Sequence, residues 1–368
     1  MKIRRIHLHN FRNFKDLRLS FSDGVTVIAG ENAQGKTNIL EGIYLTASLR
    51  SFRAGKEEVM ILSGQDEASV DLTFVEKGRE HEVSVMLNRR GGKKVTIDGR
   101  RAEKNRDALG LFQSVVFTPD HLMMIKGAPQ LRREFMDIAI CATDTKYTEM
   151  LVRYNKVLKN RNRLLKEVES NPSLADTLPV WEDMLAELGG YIARCRCLYI
   201  KELNLAAQQI YEEISGGREK IKLIYLNQFS KEELSEREYA ALIRERLEKT
   251  RTRDVENGMT ADGVHKDDIL ITIGGKSAKF FASQGQIRSV ALSVKLGEAV
   301  INEARTGKMP VILLDDIFSE LDENRQKFIM EHTLKNQCIV TTCEPDKLRG
   351  IGQTTLLVER GEVSCIST

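Results

Sequence analysis

Long apolar runs and paired cysteines are missing from this sequence, and each absence removes a class of protein. No stretch approaches the ~18 consecutive apolar residues of a membrane-spanning helix, and the N-terminus lacks the apolar core of a secretory leader. The expectation is a cytoplasmic protein with no membrane partner. The six cysteines, at 141, 195, 197, 338, 343 and 365, include no C-x-x-C pair, and Cys195-x-Cys197 is not a usual zinc spacing. They read as reduced thiols packed as small apolar groups. Any excess of one charge over the other is also small. A net charge of +3 is too small to name a partner, so only its distribution can.

What is present is the composition of an ordinary globular protein, 41% hydrophobic and 30% charged. Its 368 residues leave room for two domains, or for one large domain carrying an insertion. The most informative stretch is Gly30-Glu31-Asn32-Ala33-Gln34-Gly35-Lys36-Thr37, which fits the phosphate-binding pattern G-x-x-x-x-G-K-[ST]. Gly30 and Gly35 have no Cβ, so the chain can turn with several N–H groups aimed into one concavity. Those donors and the positive end of the following helix suit a row of phosphates. Lys36 would reach the outer phosphates of ATP, and the Thr37 hydroxyl would bind Mg²⁺. The β-branched run Val25–Ala29 before the loop and Ile39, Leu40, Ile43 and Tyr44 after it predict strand, loop and helix.

Upstream, Ile3, Ile6 and Leu8, then Leu17, Leu19 and Phe21, predict strands around a polar-aromatic turn, Asn10–Phe14. Downstream, Val70 to Leu87 alternates as antiparallel strands, with turn signals at Gly91-Gly92 and Asp98-Gly99. Between Arg89 and Arg106 eight Lys/Arg face only Asp98 and Glu103. That run is either a solvated face or a basic hairpin that tracks a phosphate backbone. On the second reading Arg89, Arg90, Lys93, Lys94, Arg100 and Arg101 would contact DNA. Arg153 to Lys166 carries six cations and no acid, a second basic stretch open to the same two readings. From Pro129 to Asn257 the pattern is helical, with Ser230-x-x-Glu233 as a capping box.

Near the C-terminus, Val311-Ile312-Leu313-Leu314-Asp315-Asp316 predicts a strand buried on both faces that ends in two carboxylates. Such strand ends line the ligand crevice of open α/β sheets. Asp315 suits Mg²⁺, and Asp316 is placed to polarise an attacking water as general base. Ser283-Gln284-Gly285-Gln286 lies 32 positions before Asp315 and opens a helix, with Ser283 as N-cap.

These three segments, in this order, resemble the Walker A, signature and Walker B motifs of an ABC-type ATPase head, and Phe318–Asp322 resembles its D-loop. With Asn10–Phe14, Arg50–Arg53 and a short helical insertion, the chain from Lys2 to Cys365 resembles the RecF family of SMC/ABC-type heads. The resemblance implies an α/β fold: a mixed sheet with flanking helices, an antiparallel β subdomain and an inserted α-helical lobe. It divides the chain into 1–128, 129–257 and 258–368. Arg12 and Asn13 would line the nucleotide pocket, and Ser283, Gly285 and Gln286 would touch ATP held by a second copy. Gln113 is the available Q-loop residue and would be a metal ligand. Three departures stand out: the signature reads Ser-Gln-Gly-Gln, Thr341-Thr342-Cys343 replaces the usual switch His, and Asp316 replaces the commoner Glu. The shorter acid hints at slow hydrolysis. Implied cofactors are ATP and Mg²⁺, with slow, DNA-stimulated turnover. Implied partners are gapped or junction DNA, an ATP-dependent second copy, and RecO, RecR and RecA. The rivals are another SMC/ABC-type head acting on DNA and a transporter ATPase subunit. A GTPase is disfavoured, because Asn155-Lys156-Val157-Leu158 lacks the Asp of a guanine-reading motif.

Overall fold

The computed structural model describes residues 1–333, 335–344, 354–359 and 361–366. Two compact units emerge: Met1–Met123 with Ile210–Arg218 and Ser283–Thr368, and Met124–Gln209 with Glu219–Ala282. The chain enters the first unit with β1 (Lys2–Phe11), β2 (Phe14–Ser20), β3 (Val25–Ala29), α1 (Lys36–Ser48), β4 (Glu67–Glu76), β5 (Arg79–Asn88), β6 (Lys93–Ile97), β7 (Arg100–Arg101) and β8 (Ser114–Phe117). It then makes α2 (Met123–Lys126), α3 (Pro129–Cys141), α4 (Thr145–Glu167), α5 (Leu178–Ser215), β9 (Ile221–Leu226), α6 (Glu236–Asn257), β10 (Asp268–Ile273), β11 (Lys276–Ser277) and α7 (Ala278–Phe281). It closes with α8 (Gln284–Thr306), β12 (Val311–Asp315), α9 (Glu323–Thr333), β13 (Cys338–Thr342), β14 (Thr354–Glu359) and β15 (Glu362–Ile366).

Among the described residues the first unit holds two six-stranded sheets. One has the order β15-β14-β3-β13-β12-β8, parallel except for β15 at its edge. All residues of β3, β12 and β13 are buried, which is why these strands read as unbroken apolar runs. The other sheet, β2-β1-β4-β5-β6-β7, is antiparallel. In β1, Ile3, Ile6, Leu8 and Phe11 turn inward, and a register shift between Ile3 and Arg5 keeps that face apolar. Helix α1 buries Ile39, Leu40 and Ile43 completely, and packs closely on β1: a Cβ on Gly42 would stand 2.7 Å from Leu8.

The inserted unit differs from the expected all-helical 129–257. It extends to Ala282 and includes a small antiparallel sheet, β11-β10-β9. Ile221 and Leu223 alternate with exposed Lys222, and β9 pairs along β10 from Ile221↔Ile273 to Leu226↔Asp268, so strand period wins over helical neighbours. The cap of α6 is Ser235, not Ser230: the Ser235 hydroxyl accepts from the Glu238 N–H, and Glu238 answers to the Ser235 N–H.

Candidate nucleotide site

The loop between β3 and α1 is shaped by backbone conformations that side chains disfavour. Gly30 has φ 151° and Gly35 φ 113°. A Cβ on Gly30 would lie 2.4 Å from the Val358 carbonyl oxygen, and one on Gly35 2.7 Å from the Asn13 amide. Both glycines are therefore required by space as well as by dihedral. Lys36 is nearly buried, and its ammonium donates to the carbonyls of Gly30 (2.6 Å) and Glu31 (2.7 Å) across the concavity. The side chain is held where bound phosphates would compete for it.

The opposite wall comes from the strand ends. Asp315, the last residue of β12, accepts from the Thr37 hydroxyl at 2.7 Å and from the Thr341 hydroxyl at 2.8 Å. Thr341 also accepts from the Asp316 N–H at 2.9 Å, which fixes the turn after the strand, where Asp316 has φ 48°. Burial pushes the carboxyl pKa of Asp315 upward against the stabilising bonds of Thr37 and Thr341; Asp316 is likewise raised by burial, opposed by Lys36. A hydroxyl and a carboxylate touching at a sheet's carboxyl edge are the hard oxygen donors that suit Mg²⁺, so Thr37 and Asp315 fit that ion. The glycine-walled cradle with Lys36 fits a phosphate chain.

Asn13 belongs to this wall. Its amide donates to the Gln34 carbonyl (3.0 Å) and accepts from Asn38 (2.8 Å). Arg12 is committed differently: its guanidinium makes a two-bond pair with the fully buried Glu41 (2.6 and 2.7 Å) and donates to the Val59 carbonyl (2.7 Å). It braces α1 against the turn at Asn10–Phe14. Ser283 caps α8 as expected, accepting from the Gln286 N–H, while the Gln286 side chain accepts from the Ser283 N–H. Ser283 and Gln284 are exposed, and the Gly285 carbonyl accepts from Arg325 at 3.1 Å.

Other expected residues lie outside this wall. Gln113 is buried at the start of β8, its carbonyl accepting from the Val311 N–H, so it sits at the opposite end of β12 from Asp315. Four residues of strand separate those ends, roughly 13 Å, which rules it out as a ligand beside Asp315. The segment on the correct edge, after Phe117, is Thr118–Asp120. In the basic hairpin, Lys93 is tied to Glu57 and donates to the Leu49 carbonyl (2.6 Å), and Arg89 donates to the carbonyls of Gln65 (2.8 Å) and Leu62 (3.3 Å). Arg90, Lys94, Arg100 and Arg101 remain exposed. Arg161, inside the second basic stretch, is fully buried.

Sequence reasoning did not foresee Cys343 in this wall. Its thiol donates to the Asn32 carboxamide (2.8 Å), accepts from Lys36 (3.4 Å) and lies 3.9 Å from Asp316. Its place at the end of β13, where a switch His was sought, was the available signal. Glu41 was missed because a lone acid on the buried face of α1 breaks the helix's apolar pattern.

The sequence matches the RecF/RecN/SMC N-terminal domain family over residues 2–364. A protein of Agathobacter rectalis called DNA replication and repair protein RecF is 40% identical over 342 residues, covering 93% of this chain and 92% of its own. The chain belongs to the RecF family. A solved structure of the recombination mediator protein RecF with ATP, in the RecFOR pathway, superposes with a TM-score of 0.94 at 34% identity, covering 100% of this chain and 98% of its own. The Smc head domain of Pyrococcus furiosus, at 18% identity and TM-score 0.58 over 100% of this chain and 96% of its own, shares the fold alone. The chain is thus a mixed α/β ATPase head of the SMC/ABC type. Among the described residues no helix is long and apolar enough to cross a membrane.

Proposed function

We propose that the chain is an ATP-switched DNA-binding protein of recombinational repair, acting in the cytoplasm. ATP with Mg²⁺ at Thr37 and Asp315 closes a homodimer in which Ser283, Gly285 and Gln286 of each copy cover the phosphates held by the other. The closed dimer recognises gapped or junction DNA and, with RecO and RecR, helps to load RecA. Hydrolysis by water activated at Asp316 is slow, is stimulated by DNA and resets the switch. The observation that carries this reading is the convergence of Thr37 and Asp315 at 2.7 Å from opposite ends of the chain, with an exposed signature cap at Ser283. The phosphate loop and metal ligands would then come from one copy, while the exposed Ser283 cap would act on the other. Support for the DNA role comes from the RecF relatives and from the exposed Arg90, Lys94, Arg100 and Arg101.

The trans arrangement has a direct test. Ser283→Arg should bind ATP as a monomer with wild-type affinity but fail to dimerise, because a long side chain blocks the helix N-terminus. Lys36→Met should lose tight ATP binding. Mixed together, the two variants can form one intact composite site, so partial hydrolysis should return. Loss of nucleotide affinity by monomeric Ser283→Arg would place the residue in cis and sink the proposal.

A further inference from the structure

The outer face of the antiparallel sheet carries a cluster that the nucleotide site does not use. His7 and His9 are alternate residues of β1 and so share one face, opposite the inward Ile6 and Leu8. Strand β2 places Asp16 directly across from His9, and β4 places Asp71 directly across from His7. One ligand atom from each of His7, His9 and Asp16 lies within 4.8 Å of the other two. His7 Nε2 bonds Asp16, while His7 Nδ1 lies 3.5 Å from Asp71. Asp71 is in turn held by the hydroxyls of Ser84 and, at 3.4 Å, Ser69. The His9 ring is positioned by the Asn10 amide at 3.0 Å.

We infer that His7, His9 and Asp16 form a binding site for a borderline divalent metal ion, with Zn²⁺ the best match. Two imidazoles and a carboxylate are a zinc donor set, whereas Mg²⁺ prefers oxygen alone. The ion takes the place between His7 Nε2 and Asp16 that their mutual hydrogen bond marks. Asp71 completes the arrangement from the far side: a carboxylate near the second ring nitrogen, here at 3.5 Å, favours the tautomer with a proton there and strengthens the ligand. Asp71 is thus a positioning residue rather than a ligand, and its own serine bonds aim it. Asp16 is about half exposed and His7 30% exposed, so the ion enters from solvent without opening the fold. A bound ion ties β1 to β2, the two strands joined by the Arg12–Asn13 turn that abuts the phosphate loop.

The test uses the full chain, stripped with a chelator, kept in excess Mg²⁺ and titrated with Zn²⁺ against a chromophoric chelator. The wild type should bind one equivalent more than the double variant His7→Gln/His9→Gln, whose scattered thiols supply the same background. Asp71→Asn should keep that equivalent but weaken it about 10- to 100-fold, as loss of an outer-shell carboxylate does. A measurement on the wild type alone guards against a variant that folds badly: Zn²⁺ should protect His7 and His9, among the six histidines, from diethyl pyrocarbonate. Equal binding by the double variant, or modification of His7 and His9 at the same rate with and without Zn²⁺, overturns the site.

Discussion

Replacing Arg161 with Met should unfold the inserted unit more readily while leaving direct DNA contacts untouched. Arg161 lies in the run of six cations on α4, yet its side chain has no solvent exposure. It donates to Asp254 (2.8 Å), Thr260 (2.7 Å) and Glu182 (2.9 Å). Met keeps the length and apolar stem but leaves two buried carboxylates short of a cation, a loss worth about 3–5 kcal/mol. The lower end applies. Asp254 still accepts from the Ala261 N–H at 3.0 Å, and Glu182 keeps its pair with Arg251 at 2.6 Å. The only Trp in the chain, Trp181, adjoins Glu182 and gives a fluorescence signal from this unit alone. Urea unfolding followed by Trp181 should therefore show a destabilisation of about 3 kcal/mol. Combining Arg161→Met with Asp254→Asn should cost less than the sum of the two, with a coupling of about 1–3 kcal/mol. Superimposable wild-type and Arg161→Met transitions, accompanied by weaker DNA binding, would refute this reasoning and restore Arg161 as a phosphate contact.

The remaining predictions concern the head. Asp316→Asn should bind ATP, hydrolyse it at least tenfold more slowly and accumulate as a dimer; a monomer by light scattering at saturating ATP contradicts this. Because burial raises the Asp316 pKa, the ionised base disappears at a higher pH than an exposed Asp would. The acid limb of the hydrolysis profile should accordingly lie above that of an exposed Asp, and a limb at or below the position for an exposed Asp argues against Asp316 as base. Neutralising Arg90, Lys94, Arg100 and Arg101 should lower the slope of log K against log salt by up to about 3.6 with basal ATPase unchanged. Lys93→Ala, by contrast, should leave that slope alone and lower thermal stability, since it breaks the contacts with Glu57 and Leu49.

Parts of this architecture were legible because burial leaves a one-dimensional trace. Strands β3 and β12 are covered on both faces, so Val25–Ala29 and Val311–Asp315 appear as unbroken apolar runs, and the glycines of the intervening loop announce a backbone no other residue could adopt. Gln113 misled because residue type says nothing about which end of a parallel strand it occupies. That depends on pairing with β12, a partner almost 200 positions away. Ser230 and Ser235 both satisfy S-x-x-E, but only the second is followed at helical spacing by the buried Tyr239, Ile243 and Leu247. Arg161 could have been placed by phase. Tyr147, Leu151, Tyr154 and Leu165 define the buried face of α4, and position 161 falls on it. Charge counting along the chain ignored that phase.

Sheet order also explains why so large an insertion leaves the nucleotide site intact. The chain departs after β8 and returns through α8 into β12, and the two strands are direct parallel neighbours from Ser114↔Val311 to Phe117↔Leu314. The inserted unit therefore interrupts the sequence between two adjacent strands without opening a gap in the sheet. The order β3-β13-β12 then separates the phosphate loop from Asp315 by one intervening strand. Two strand spacings amount to roughly 10 Å, too far for backbone contact between the motifs. Two things close the distance: α1 carries Thr37 inward from the loop, and β13 presents Thr341 and Cys343 at its end. Thr341 bonds Asp315 and receives the Asp316 N–H, while Cys343 touches Asn32 and Lys36. The strand between the two motifs thus links them, through side chains of β13 and the residue that follows it.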